Sequence, residues 1–421
     1  MRDIILLRRN LVNIFSLASV QGANALLPIL IFPYVLHMFG AEKYTSLVVG
    51  EAISLIVLAV VIYSYEINGV SKVVNCLKSD GLTSASAVFS EVFCCRLFIW
   101  VICLIIVLGA GAFIQPELFL ALLCWMLVPL AYVFQSAYFF QALEKNLPVA
   151  IFTVISRVVC CLIVFFWLKP IHPFFLLPLI VGGGYLVGGV CAWIYLVSVA
   201  GVKFKRISWI CLRDSLQEGK EIFFGNFAVV LFRDSNVLIL SFFGISAATI
   251  SSYSVVEKFI KAFQAIVRPL NQFFFPRVIH AVHGRLGPDR VALSRISRLT
   301  YLQLVVLFCI LLCFIGLWAG LKDRVEFLAS YPNKTLMQSL FIFMSIGVFF
   351  GISNFMFGTA GLNALGAKNY LAKSLVCTGV VTLALCVIST KVIGVYGAAG
   401  SFVFGEVMLF TLIMHRYFRG N

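Results

Sequence analysis

The stretch "IFFGNFAVVLFRDSNVLILSFFG" (222–244) decides the fold class, because it is apolar over the length of a membrane span. A hydrocarbon core about 30 Å thick is crossed by about 20 helical residues. Arg233 and Asp234 nevertheless lie inside this run. A charge at the middle of a spanning helix costs roughly 2.5–3.5 kcal/mol on insertion scales. Two adjacent charges there indicate a functional site within the membrane.

Apolar runs of this length recur from end to end of the chain. The sequence is 62% hydrophobic and 12% charged, whereas soluble domains carry about 25% charged residues. We predict an all-α integral membrane protein with about twelve transmembrane helices, arranged in two six-helix lobes around a central cavity. The longest polar stretch, "AGVKFKRISWICLRDSLQEGKE" (200–221), divides the chain into these two halves. The predicted parts are an N-terminal lobe (1–200), a cytoplasmic linker (201–220) and a C-terminal lobe (221–421).

The net charge of +15 is explained by topology. With both termini placed in the cytoplasm, twenty of the 32 Lys and Arg residues fall in cytoplasmic segments and six in external ones. This asymmetry follows the positive-inside rule, so both termini are predicted to be cytoplasmic. The basic charge therefore does not indicate a nucleic-acid partner.

Cofactor and enzyme signatures do not appear in the sequence. Most of the 13 cysteines fall in or beside apolar spans, where cysteine behaves as a small hydrophobe. No CxxC pair and no HExxH, GxSxG or Walker-type motif occurs. The glycine-rich "GGGYLVGG" (182–189) lies inside a span and indicates close helix packing. We therefore expect no metal, no cofactor and no catalytic residues.

The eighth predicted span carries a regular polar stripe. In "SYSVVEKFIKAFQAIVRPLNQFFFPRV" (252–278), polar residues recur at steps of 4, 3, 4 and 3. At about 100° per residue they share one helix face within roughly an 80° arc. The stripe consists of Glu257, Lys261, Gln264, Arg268 and Asn271.

Other spans add polar residues that lipid cannot satisfy. Asn226 and Arg233 are seven residues apart on one face of the seventh span. The fifth span contributes Arg157, the first Asn24 and the second Glu51. Polar faces on several helices must meet one another or water, which predicts a hydrated cavity.

The four cations Arg157, Arg233, Lys261 and Arg268 outnumber the nearby anions, which predicts an anionic substrate. Arginine presents a planar fork of donors suited to phosphate. The alternative is that these residues form interhelical salt bridges only. Arg233 and Asp234 cannot pair neatly as sequence neighbours, so Asp234 is expected to meet Arg157 or Lys261. The remaining polar residues, predicted to line the cavity, are Asn24, Asn226, Gln264 and Asn271.

Five segments, in order along the chain, resemble the polysaccharide transporter family. This family comprises the Wzx-type flippases of bacterial O-antigen and capsule assembly, within the multidrug/oligosaccharidyl-lipid/polysaccharide exporter superfamily. Thr45 and Ala142 depart from the family pattern, which has glycine at both places. The segments are "PYVLHMFGAEKYTSLVVGEAIS" (33–54), "YFFQALEKN" (138–146), "LFRDSNVLIL" (231–240), "YSVVEKFIKAFQAIVRPLNQFFFPRV" (253–278) and "GVYGAAGSFVFGEV" (394–407).

The resemblance implies a flippase of the bacterial inner membrane. It would move an undecaprenyl-diphosphate-linked oligosaccharide from the cytoplasmic to the outer face by alternating access. The four cations would then bind the diphosphate or the adjoining sugars, while Asp234, Glu257 and Glu51 would position these cations or take part in ion coupling. Membrane lipid, the polysaccharide polymerase and the chain-length regulator are the other expected partners. The alternatives are a cation-coupled multidrug exporter and an integral-membrane polymerase or ligase.

Overall fold

The computed structural model describes residues 2–282, 289–321 and 333–419, with side chains described outside 2–11, 14, 17, 266–270, 272–276, 279–281 and 321. These residues form helices joined by short connections, because a helix satisfies its own backbone hydrogen bonds within lipid. The described chain divides into two compact units. Unit 1 comprises residues up to Ile31 and Ser46–Phe227, and unit 2 comprises Phe32–Thr45 and the chain from Ala228 onwards.

Unit 1 contains most of α1 and the helices up to the first part of α9. Helix α1 runs over Arg2–Ile62 and is interrupted at Gly40, where φ is 78° and ψ is 172°. A backbone with positive φ is readily adopted only by glycine, so Gly40 divides α1 into two spans. The other helices are α2 (Asn68–Ser79), α3 (Leu82–Ala110), α4 (Pro116–Trp125), α5 (Leu127–Gln135), α6 (Ala137–Ala142), α7 (Leu147–Phe166), α8 (Leu176–Ser198) and α9 (Trp209–Asp234).

Unit 2 contains the end of α9 and the helices that follow it. Helix α13 (Lys334–Ser353) continues directly into a π-helix over Asn354–Leu362. Such π-helical segments frequently mark functional sites. The other helices are α10 (Asn236–Phe242), α11 (Ala247–Val282), α12 (Arg290–Leu321), α13 (Lys334–Ser353), α14 (Lys368–Ile393) and α15 (Val395–Arg419).

The described helices account for most of the about twelve spans that the sequence predicted. Nine are long and apolar enough to cross a membrane, and the pair α9–α10, bent by 54°, forms one further broken span. The first of the nine, Ala18–Ile62, is two spans because of the break at Gly40. Helix α11 is 36 residues long but carries the polar stripe, which lowers its hydropathy. The predicted fold class, an all-α membrane protein, is confirmed.

A buried charge lies near the middle of α3. Arg96 is 1% exposed and forms a 2.8 Å ion pair with Glu66. Its guanidinium lies 5.2 Å from the ring centroid of Tyr138, and Nη1 donates to the carbonyl of Tyr132 at 3.2 Å. This arginine has its own carboxylate partner, so it is a structural cation.

Candidate functional site

Arg157 is a buried cation of unit 1 for which the described residues supply no carboxylate partner. It lies on α7 and is 4% exposed. Its Nε donates to Oδ1 of Asn24 at 3.1 Å, and its Nη1 donates to Oγ of Ser156 at 3.1 Å. The guanidinium carbon lies 3.1 Å from the ring centroid of Tyr185. Among the described residues no salt bridge balances the Arg157 charge.

The depth of Arg157 in the membrane follows from its place in α7. This helix runs over Leu147–Phe166, so Arg157 lies about ten residues from either end. At about 1.5 Å of rise per residue, its Cα is about 15 Å from each end of the span. Asn24 and Tyr185 hold the guanidinium in place with neutral groups, which orient the cation without cancelling its charge. A phosphate that reached this depth would find a pre-organised cationic donor.

The charges at positions 233 and 234 are tolerated because the seventh span is broken there. Helix α9 ends at Asp234 and α10 begins at Asn236, with an angle of 54° between them. Ser235, at the break, donates its hydroxyl back to the carbonyl of Leu231. Serine side chains commonly satisfy backbone groups freed at such breaks in membrane helices. The break turns Arg233 and Asp234 towards different partners in unit 2.

Arg233 pairs with a carboxylate of the last helix. Its Nη2 lies 2.5 Å from Oε1 of Glu406, whose side chain is completely buried. The other carboxylate oxygen of Glu406 accepts from Nδ2 of Asn354 at 2.9 Å. Asn354 is the first residue of the π-helix, so the irregular turn presents its amide to the buried carboxylate. The three side chains join α9, α15 and the π-helix.

Lys261 bridges two carboxylates. Its Nζ lies 2.7 Å from Oδ1 of Asp234 and 2.9 Å from Oε1 of Glu257. Glu257 is one helical turn before Lys261 on α11, whereas Asp234 comes from the end of α9. The predicted contact between Asp234 and Lys261 is therefore present. Glu257 is buried, while the Lys261 side chain is 37% exposed.

The described charges of this network do not give the positive excess expected from the sequence. Two cations, Arg233 and Lys261, face three carboxylates. Glu406, which follows Arg233 by 173 residues in the chain, adds a carboxylate that the sequence analysis did not count. The predicted contribution of Arg268 lies outside the residues whose side chains are described. Among the described residues, Arg157 is a buried cation without a carboxylate in salt-bridge contact.

The remaining predicted site residues lie on α1, α9 and α11. Asn226 is exposed on α9 and Gln264 is half-buried on α11. Asn271 is buried, and its amide oxygen has no hydrogen-bond partner among the described residues. Glu51 is half-buried in α1 and lies within electrostatic reach of the Tyr185 hydroxyl.

Sequence reasoning missed Glu406, Asn354 and Tyr185. Glu406 stands alone in an apolar helix, and Asn354 lies in an apolar span. Ionisable residues within membrane spans are functional candidates by default, so Glu406 could have been selected on that rule. The stacking of Tyr185 on Arg157 depends on the packing of α7 against α8 and carries no signal in the sequence.

The comparisons with known proteins agree with this fold. A profile of the family described as "Polysaccharide biosynthesis protein" matches residues 11–282. Two relatives bear the name "Putative O-antigen transporter". The one from Escherichia coli K12 is 24% identical over 416 residues, which is 97% of this chain and 96% of that protein. The one from Shigella dysenteriae is 25% identical over 275 residues, which is 63% of this chain and 66% of that protein.

Solved structures share the fold over nearly the whole chain. An inward-facing multidrug resistance transporter of the MATE family, in the MOP superfamily, gives a TM-score of 0.64 at 12% identity, with 96% of each chain covered. A MOP superfamily transporter from Pyrococcus furiosus, described as having a binding pocket of reverse polarity, gives 0.58 at 8% identity, with 97% of this chain and 94% of that chain covered. At these identities the likeness shows the fold alone.

The resemblance noted in the five sequence segments is thereby confirmed. The profile covers well over half of the chain, and the structural likeness extends over both units. The chain belongs to the polysaccharide biosynthesis protein family, as a membrane transporter with the fold of the multidrug/oligosaccharidyl-lipid/polysaccharide exporter superfamily.

Proposed function

We propose that the protein is a flippase for undecaprenyl-diphosphate-linked oligosaccharide repeat units of O-antigen or a similar surface polysaccharide. It moves them from the cytoplasmic to the outer face of the bacterial inner membrane by alternating access, with both termini in the cytoplasm. The observation that carries this proposal is Arg157, a buried cation about midway along its span and without a salt bridge among the described residues. Buried charges are normally paired, so this one is available to an anion that passes.

The diphosphate is the group that suits Arg157 best. Two phosphates at the junction of lipid and sugar concentrate negative charge, and a guanidinium can bind phosphate oxygens with two parallel hydrogen bonds. The relatives named as O-antigen transporters support the same substrate class. A cationic drug would be repelled by the positive charge of Arg157. The multidrug exporter is therefore less well supported than the flippase and is the second candidate.

The unit 2 network has a different proposed role. Arg233 and Lys261, which are 31% and 37% exposed, contact the diphosphate or the adjoining sugars, together with Arg268. Asp234 and Glu257 share the ammonium group of Lys261, so a proton or cation that displaces this ammonium would change the contacts of both carboxylates. We assign Asp234 and Glu257, with Glu51, to ion coupling. Asn24, Asn226, Gln264 and Asn271 line the path of the substrate. The polysaccharide polymerase and the chain-length regulator are the proposed protein partners.

The test is surface display of O-antigen in a strain that lacks this gene, complemented with variants whose membrane levels are checked by blot. Arg157→Gln should reduce display by ten- to a hundredfold, because a charge-assisted hydrogen bond contributes about 1.5–3 kcal/mol. Arg157→Lys should retain part of the display, since it keeps the charge and loses the fork. The matched control is Lys72→Met, which removes a cation that is already paired with Glu91 and Glu218.

The outcomes separate the candidates. Normal display with Arg157→Gln at wild-type protein levels would show that Arg157 does not contact the substrate. Raised drug resistance, with no restoration of polymer by the wild-type gene, would favour the multidrug exporter. Arg233→Ala is less informative, because it leaves the buried Glu406 without its partner and so confounds transport with folding.

A further inference from the structure

An apolar groove lies between α7 and α8 in unit 1. Its volume is about 370 Å³, within the range of about 300–1,000 Å³ typical of small-molecule sites. Its floor is made by glycines of α8 that face α7. A Cβ on Gly184 would lie 1.9 Å from Sγ of Cys160, and one on Gly188 would lie 2.7 Å from Oγ of Ser156. A Cβ on Gly183 would meet nothing within 4 Å, so the groove is open above it.

The rim of the groove is apolar and exposed. Ile155 and Val159 of α7, and Leu179 and Val187 of α8, all present exposed side chains. Both helices are membrane spans, so the rim faces hydrocarbon and the groove admits an apolar chain from the bilayer.

The groove adjoins the unmatched cation. Ser156 lines the groove, and its hydroxyl oxygen also accepts the hydrogen bond from Nη1 of Arg157 at 3.1 Å. A hydrocarbon chain in the groove would therefore place an attached anionic group beside Arg157. The occupant that fits is an anionic lipid.

The depth in the membrane at which the groove meets Arg157 distinguishes between lipid classes. A resident phospholipid keeps its phosphate at the membrane surface, about 15 Å from the middle of the hydrocarbon core. Arg157 lies about 15 Å from either end of α7, so such a phosphate does not reach it. Only a lipid whose headgroup is crossing the membrane brings its phosphate to this level while its chain stays in hydrocarbon.

We propose that the α7–α8 groove binds the polyprenyl chain of the lipid-linked substrate while its diphosphate passes Arg157. This inference rests on the proposed function and adds to it a site for the lipid part of the substrate. The chain slides along the exposed rim, and Ser156 marks the boundary between chain and headgroup.

The test measures binding of labelled undecaprenyl diphosphate to the purified full-length protein in nanodiscs of phosphatidylethanolamine. Gly183→Leu fills the open part of the groove and should weaken binding about tenfold, because displacing one or two methylene groups from an apolar site has that effect. Gly183→Ala should give a smaller loss. The matched control is Gly109→Leu on α3, where the added Cβ also meets nothing within 4 Å but lies outside the groove.

Competition identifies the occupant. Undecaprenol, which has the chain alone, should compete with the label in the wild type and about tenfold less well in Gly183→Leu. Inorganic diphosphate should compete with the label equally well in the wild type and in Gly183→Leu, because its binding needs only Arg157. If phosphatidylglycerol competes as well as undecaprenol, the groove is a general lipid site and the proposal is overturned.

The remaining outcomes separate the groove from the proposed function. Equal binding of undecaprenyl diphosphate by wild type, Gly183→Leu and Gly109→Leu would overturn the groove alone and leave the flippase proposal standing. Failure of the wild type to bind undecaprenyl diphosphate would overturn both.

Discussion

Arg157 in unit 1 and Arg233 in unit 2 are both arginines inside membrane-spanning helices, but their charges are balanced differently. Arg233 meets the buried carboxylate of Glu406 at 2.5 Å. Arg157 meets an amide oxygen, a hydroxyl and an aromatic ring, and no carboxylate among the described residues. A matched pair holds helices together, whereas a cation with neutral partners is oriented and still able to attract an anion.

The difference matters because burial affects the two arrangements in opposite ways. Removing one partner of a buried ion pair leaves the other charge uncompensated, which costs several kcal/mol. Removing a buried cation that has neutral partners also removes the cost of its desolvation. Stability measurements can therefore distinguish a structural charge from a binding charge before any transport is assayed.

The largest expected effect is on the matched pair of unit 2. Glu406→Gln keeps the shape of the side chain but leaves Arg233 without its carboxylate, so we expect a loss of about 3 kcal/mol of unfolding free energy. Denaturation of the purified protein in detergent gives this value. The double variant Arg233→Met with Glu406→Gln should recover part of the loss, since no unpaired charge remains. Wild-type stability for Glu406→Gln alone would show that the ion pair does not hold unit 2 together.

A smaller effect is expected at Arg157. Arg157→Gln should change the unfolding free energy by no more than about 1 kcal/mol, because the lost cation–π contact is offset by relief of desolvation. The same denaturation measurement applies, and Glu406→Gln is the reference for a matched charge. A loss as large as that of Glu406→Gln would make Arg157 a structural residue and remove the contrast between the units.

The smallest expected effect concerns a matched cation outside the spans. Lys72 on α2 lies 3.0 Å from Oε1 of Glu91 and 2.7 Å from Oε2 of Glu218. Burial lowers its pKa, but hydrogen bonds to Glu218 and Glu91 outweigh burial, so the pKa is raised above 10.5. Lys72→Met should cost about 0.5 kcal/mol, as is usual for a partly exposed ion pair.

The sign of the pH dependence follows from the raised pKa of Lys72. A cation whose folded pKa exceeds its unfolded value stabilises the protein below the unfolded value, here 10.5, and loses that contribution as the pH rises through the folded value. The difference in stability between wild type and Lys72→Met should therefore be constant near neutral pH and shrink above about pH 10.5. A difference that disappears on acidification to pH 6 would contradict this assignment.

Much of the candidate site could be predicted where a single helix carries it. The pairing of Glu257 with Lys261 follows from the periodicity of α11, whereas the sequence left Asp234 with either Arg157 or Lys261 as its partner. The balance of charge around Arg233 and Lys261 could not be predicted in the same way. It depends on Glu406, which belongs to a helix far along the chain. An isolated carboxylate in an apolar helix has no partner that the sequence can indicate.

The sequence by itself determined that this protein is a helical membrane protein of about twelve spans, because the hydrophobic effect and the backbone's need for hydrogen bonds act on each segment separately. It also determined which charged residues lie inside those spans. Only the tertiary structure decided which of these charges are matched, since the partners of Arg233 and Arg157 come from other helices. The α7–α8 groove depends on tertiary packing in the same way, because Gly183 and Gly184 open it only where α8 faces α7.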